Sequence, residues 1–386
     1  MRRFFIPSPR VTRIAAVVLV FAALLVAGAK PLGRAVEAAL VMDDLAAGPG
    51  PSLFKNITSA PSRDGISYRI GARNHEADLY RPGEDPNAVL VLVPGALATG
   101  KDDPRLVAFA ATLARAGFGV LAPDIPSVRA LQLRASDSQD VADAVDYLAD
   151  SDETSARPLG IVALSYAAGP AILALLDPAV GDKVDFVVAI GGYHDADAVL
   201  TFFTTGYYRD PPGGPWRHRR PNAYGKWLFV AGNVGLIADA SDRDVLAQMA
   251  GRKLEDLSAD VSDLAQRLGA EGRAVVDFVM NVDPGRARDL IGNLPAAVRA
   301  EIEALDLKRR DLTRLHPGLI LIHGRDDAIV PESESMALAA AAAPGRADLY
   351  LVERLAHVDL GPVGLRDALT LWRAIYRLLE ERDRSG

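Results

Sequence analysis

The sequence predicts an α/β fold: a mostly parallel, doubly wound sheet of about eight strands with an inserted helical cap. Three observations carry this. From Ile66 onward, short apolar runs alternate with amphipathic stretches, as strand–helix–strand units do. The runs "AVLVLVPG", "FGVLAPDI", "LGIVALS" and "VDFVVAIGG" are continuously apolar, the pattern of strands covered on both faces. After Gly192, about 120 residues pass before the next such run, "GLILIHG", far more than a connection needs.

The chain has 386 residues, enough for one large core and an inserted subdomain. Its N-terminus carries Arg2, Arg3, Arg10 and Arg13 with no acid, followed by an uncharged apolar run from Ile14 to Ala29. Residues 1–30 are therefore expected to be a signal peptide or an N-terminal membrane anchor. The run falls short of the about 20 residues that a bilayer core of about 30 Å wants. Ala27-Gly28-Ala29 offers a cleavage site. Alternatively, a snorkelling Lys30 extends an uncleaved span over residues 14–33. Either way the basic end stays in the cytoplasm and the rest is exported, periplasmic or extracellular, and in the uncleaved case tethered to the inner membrane. "RRFFI" also resembles a twin-arginine signal. Residues 31–62 are expected to be a lead-in, with a helical pattern over Arg34–Leu45 broken by "AAGPGPS".

The core is expected over 63–192 and 314–386. "ISYRI" and "EADLY" open it as two antiparallel strands. Helices follow over Asp103–Gly117 and over "SDSQDVADAVDYLAD", and after Ser165. Beyond "GLILIHG" come a helix over Glu334–Ala343, the strand "ADLYLVE" and a final helix with Leu365, Leu369, Trp372, Tyr376 and Leu379 on one face. The cap is expected over 193–313. It opens with an aromatic, Pro/Gly-rich stretch and continues helically, with Leu254, Leu257, Val261, Leu264 and Leu268 stepping by three and four. Insertions at the ligand edge of a sheet commonly form lids or binding walls.

Composition excludes several classes. A formal net charge of −7 argues against general nucleic-acid binding. The absence of cysteine excludes disulfides, a thiol nucleophile, thiolate metal sites and thioether lipid anchors. "GFGVLA" spells a dinucleotide-type motif, but it precedes a strand where the motif must follow one. No metal and no cofactor is implied.

Three pieces point to nucleophilic chemistry. In "ALSYA", Ser165 ends a buried strand, and Ala163 and Ala167 are small enough for a sharp turn that projects its hydroxyl. Gly169 lets the following helix pack close to a strand, and the turn leaves Tyr166 N–H free at a helix start. In "GRDDAIVP", Asp327, or its neighbour Asp326, sits on a loop after a strand, placed to orient a histidine. In "RLAHVDLG", His357 is the one histidine after Asp327 and follows the last strand.

In these motifs, together with "VPGAL" after the third strand, the sequence resembles the α/β-hydrolase fold superfamily over about Ile66–Gly192 and Leu315–Leu379. It departs from the family in carrying alanines where the elbow usually has glycines. The resemblance implies a helical cap between the sixth and seventh strands, a structural role for His323, and a serine carboxylesterase or lipase-like activity. Ser165 would attack an acyl carbonyl, His357 would relay its proton, and Asp327 would orient the histidine. The backbone N–H groups of Ala96 and Tyr166 would form the oxyanion hole. Leu97, with Tyr207, Tyr208 and Trp216, is expected to line the pocket; these aromatics and Trp227 either wall that pocket or form the cap's own small core. "RHRR", Arg217–Arg220, is expected as a solvated loop, with contact to anionic lipid or substrate as the alternative. The expected partner is a small ester with an apolar group. The same triad serves acyltransferases and C–C or lactone hydrolases, and a non-catalytic, membrane-tethered scaffold is the further alternative.

Overall fold

The computed structural model describes residues 30–151, 157–356, 359–360 and 364–384. The expected signal or anchor at Ile14–Ala29 and the candidate base His357 lie outside the described residues. Among the described residues, no helix is long and apolar enough to cross a membrane.

Eight strands form one sheet: β1 Ser62–Ile70, β2 Arg73–Arg81, β3 Ala88–Val93, β4 Phe118–Pro123, β5 Leu159–Leu164, β6 Phe186–Ile190, β9 Gly318–Gly324 and β10 Ala347–Val352. The order across the sheet is β1-β2-β4-β3-β5-β6-β9-β10. β2 runs antiparallel to β1 and β4, and every later pairing is parallel. β3, β4 and β5 are buried at every position, which explains their continuous apolar runs. The strand period of two splits them between two cores. Val89, Val91, Ile161 and Ala163 meet the helices Asp137–Ala149 and Ala168–Leu175 on one face. Leu90, Leu92, Val162 and Leu164 meet the helices Pro104–Arg115 and Leu365–Arg382 on the other.

The segment expected as a lead-in belongs to this second core. Residues 30–47 are helical, and Ala38 and Val41 are buried against it. Arg382 reaches Glu37 with its two terminal guanidinium nitrogens, and Trp372 Nε1 donates to Ala35 O at 2.9 Å. Asp44 is fully buried. Against the desolvation of burial, Lys55, Ser52 and Thr112 hold its carboxyl below the ordinary value. This helix also corrects the stripe expected on the last helix. Leu365 and Leu369 are 90% and 47% exposed, while Leu379 is buried and Trp372 and Tyr376 pack partly buried on the second core, beside the buried Leu371, Ala374, Ile375 and Leu378.

The insertion is mainly helical, with a short hairpin of β7 Tyr207–Arg209 and β8 Trp216–His218. It has its own core, including Trp227, Leu246, Met249, Phe278 and Val298. Leu307, Leu312 and Leu315 already belong to the main core, so the chain rejoins the sheet before residue 313. The Leu254–Leu268 pattern is not one helix: the helix Ala240–Glu255 ends there and a short one, Ser262–Ala265, follows. Asp256 and Asp260 accept from the backbone N–H groups of Ser258 and Ser262, turning the chain where the apolar spacing suggested continuation.

Candidate active site

Ser165 follows the last residue of β5, at the carboxyl edge of the central strand. Its φ is +53°, one of two positive values at non-glycine residues among those described. The left-handed region costs a residue with a Cβ about 1–2 kcal/mol. The chain passes at once into a 3-10 turn, Ser165–Ala167, and the helix Ala168–Leu175. Ala163 and Ala167 are buried on either side. Gly169 faces Tyr193 Oη, which would stand 2.0 Å from an added Cβ, so the close approach there is to a tyrosine from the loop after β6 and not to a strand as expected. The loop after β3 touches the elbow: a Cβ at Gly95 would lie 3.2 Å from Leu164 O and 3.4 Å from Ser165 Cβ. Ala96 and Leu97 continue this loop along the wall of a cavity that also contains Ser165 and Tyr166.

Tyr166 is pinned by its side chain. Its hydroxyl accepts from Arg134 N at 2.8 Å and lies 2.8 Å from Asp137 Oδ2. Burial, and secondarily the charge of Asp140, push the Asp137 carboxyl up to about 6, and hydrogen bonds from Ser127 and Tyr166 only partly offset this. Burial and Asp137 push the Tyr166 phenol up as well.

The two adjacent aspartates after β9 differ. Asp327 is fully buried, and its Oδ1 accepts from Ile329 N at 2.7 Å and Val330 N at 3.0 Å. Asp326 is exposed and accepts from Leu355 N at 3.1 Å. His323, fully buried, lies with Nε2 3.0 Å from Val330 O and Nδ1 2.6 Å from Ser335 Oγ. A carbonyl can only accept, so Nε2 carries the proton and Nδ1 takes one from Ser335. That ring ties β9 to the helix Glu332–Ala341. Position 357 falls between two short strands, Leu355–Ala356 and Asp359–Leu360.

Strand order, a strained serine after the central strand, a buried aspartate after β9 and a cap inserted between β6 and β9 together decide the architecture. The chain has the α/β-hydrolase fold. No family model matches the sequence, and no curated protein does. Solved structures resemble it distantly. A hypothetical protein from Pseudomonas aeruginosa is 18% identical, over 84% of this chain and 95% of that one, with a TM-score of 0.45. A dienelactone hydrolase from Anabaena variabilis is 14% identical over 83% and 98%, at 0.44. A dipeptidyl aminopeptidase IV-like protein from Bacteroides ovatus is 14% identical over 83% and 36%, at 0.48.

In this α/β-hydrolase fold the cavity lies between the sheet edge and the cap. It measures about 420 Å³ and is walled mainly by aliphatic and phenyl side chains, among them Leu131, Phe203, Leu228, Phe229, Val298 and Ile329. Leu97 lines it as predicted. Tyr207, Tyr208 and Trp216 do not line it. They belong to the β7–β8 hairpin, where Tyr207 packs on Trp216 and His218, Trp216 is 43% exposed beneath Arg209, and Tyr208 Oη meets Arg219. The aromatic composition of that stretch was legible, but not the direction its rings face. Among the described residues, no histidine lines the cavity and no cluster of histidines and carboxylates could hold a metal.

Arg219 was expected to be solvated and is instead a clamp. Its guanidinium donates to Asp327 O at 2.7 Å and Glu332 Oε2 at 3.1 Å, and Asn222 N donates to Ala328 O at 3.2 Å. The cap thereby holds the aspartate loop by consecutive carbonyls. No spacing in the sequence announces a partner more than a hundred residues away. We expect Arg219→Ala to raise hydrogen exchange at the Ile329 and Val330 amides about tenfold, the loss of one charge-assisted bond, with Arg219→Lys intermediate. Unchanged exchange would remove the clamp.

Proposed function

We propose that this chain is a serine hydrolase that cleaves a carboxylic ester through an acyl-enzyme. The observation that carries the reading is Ser165 itself: a serine in the left-handed region, after the central strand, on the wall of an apolar cavity. Strain of this kind persists where the surrounding structure over-determines it, commonly at a working site. Ser165 Oγ attacks the acyl carbon, and the developing oxyanion is met by the N–H groups of Ala96 and Tyr166. His357 takes the serine proton and returns it to the leaving alcohol, while Asp327 holds the histidine tautomer. Two backbone N–H groups donate to Asp327 Oδ1 and fix the carboxylate at the end of β9. The reading extends to export, supported by the basic flank and apolar run within residues 2–29.

The cavity supports a medium-length apolar acyl or alcohol group, its volume lying within the range of small-molecule sites. Each methylene buried is worth about 0.8 kcal/mol, so kcat/KM on p-nitrophenyl esters is expected to rise roughly fourfold per methylene beyond acetate until the cavity is full. A fluorophosphonate probe is expected to label Ser165, with label lost in Ser165→Ala. A folded wild-type protein that neither labels nor cleaves any ester of the series would overturn the proposal.

A further inference from the structure

Two charged side chains stand in the mainly apolar wall, Arg105 and Glu301. Arg105 is 58% exposed and already paired with Asp103 at 3.0 Å. Glu301 projects from the cap helix Ala296–Leu305 and is half-buried. Its Oε2 accepts from Ala135 N at 2.8 Å. No hydrogen bond or ion pair from a described residue reaches Oε1. Arg134, beside Ala135 in the chain, is engaged with Leu133 O and Asn233 Oδ1, and Arg309 with Asp306 and Glu303. The other polar groups of the wall are also committed. Asn233 uses its amide oxygen on Leu133 N and Arg134, and its nitrogen on Phe229 O and Leu131 O, while Tyr193 Oη donates to Leu305 O.

Half of one carboxylate is therefore the acceptor that the cap offers a ligand. A wholly apolar molecule filling the cavity would strip water from Oε1 and return nothing, which is costly for a charged group. A molecule with a protonated amine at the end of an apolar body would replace that water with a charge-assisted hydrogen bond. Sites built in this way discriminate through the penalty borne by the analogue that lacks the donor. We infer that the cavity selects esters whose apolar group carries a cationic amine, held by Glu301 Oε1. The inference rests on the hydrolase reading for the word ester, and on the cavity alone for the amine.

The test is equilibrium binding of n-hexylamine and n-hexanol, measured by calorimetry at neutral pH on wild type and on Glu301→Gln. The glutamine keeps an oxygen for Ala135 N and removes only the charge. Wild type is expected to bind the amine at least about tenfold more tightly than the alcohol, and Glu301→Gln to reduce that preference to about twofold or less. Equal affinities in wild type, a preference that survives in Glu301→Gln, or no binding of either probe would overturn the inference. The wild-type comparison stands even if the variant folds poorly. Fluorophosphonate labelling of the same samples separates the two readings: label on Ser165 without amine preference sinks the inference alone. A Glu301-dependent amine preference without label sinks the hydrolase and leaves the binding site.

Discussion

Ser165→Gly is expected to abolish ester turnover and to make the protein more stable. Removing the nucleophile of a serine hydrolase lowers kcat by at least about a thousandfold, the residue coming from binding and the oxyanion donors. The stability change follows from φ at +53°. Serine pays about 1–2 kcal/mol to hold that conformation, whereas glycine enters it freely but loses about 0.5–1 kcal/mol more backbone entropy on folding. The balance favours glycine by up to about 1.5 kcal/mol. Ser165→Ala separates the two effects, because alanine lacks the hydroxyl and keeps the strain. Urea midpoints at constant slope should therefore rank Ser165→Gly above Ser165→Ala and wild type, with both variants inactive. Equal midpoints for glycine and alanine would mean the elbow stores no strain; turnover by either would remove Ser165 from the chemistry. Leu131, φ +57°, is the other non-glycine residue with a positive φ among those described, and it too lines the cavity. Asn233 Nδ2 on its carbonyl at 3.3 Å holds it, so both strained positions among the described residues lie around one ligand space.

What the sequence disclosed and what it withheld divide along a physical line. β3 to β6 were legible because burial on both faces demands unbroken apolar runs, and Ser165 was legible because a sharp turn demands small neighbours on a short local span. Both are properties of contiguous residues. The separation of Asp326 from Asp327 was not legible, since it depends on which carboxylate meets Leu355 N and which is enclosed. Nor were the cavity walls: Leu131, Phe203, Phe229 and Val298 come from different elements and converge only when the cap closes on the sheet. The stripe on the last helix was legible only in part. Leu379 is buried and Trp372 and Tyr376 pack inward as expected, Trp372 bonded to the helix over residues 30–47, which reads from sequence as an appendage, but Leu365 and Leu369 are exposed. Periodicity says that a helix has an apolar face. Its angle is fixed by the partner, and here that partner lies more than 300 residues away in the chain.

Gly324→Ala should be the most damaging single-methyl addition near the site. An added Cβ would stand 1.7 Å from Leu355 O and 2.7 Å from its carbonyl carbon, contacts that no rotamer change relieves. Two hydrogen bonds close the same junction: Arg325 N to Val352 O at 2.7 Å and Leu355 N to Asp326 Oδ1 at 3.1 Å. The end of β9, which leads to Asp327, is thus laced to the segment that leads to position 357. The methyl can be accommodated only by moving one backbone from the other, so we expect a loss of about 2–3 kcal/mol in stability. If Asp327 and His357 work as a pair, the effect goes beyond stability. A displacement of about 1 Å between acting groups costs about a hundredfold in rate, so kcat should fall by that order under conditions where the variant remains fully folded. Gly318→Ala, at the other end of the same strand with nothing within 4 Å of its added Cβ, is the control and should change stability by no more than about 0.5 kcal/mol. A Gly324→Ala protein that is destabilised but turns over at the wild-type rate when folded would mean that the junction serves the fold alone, and that the groups it joins do not act together.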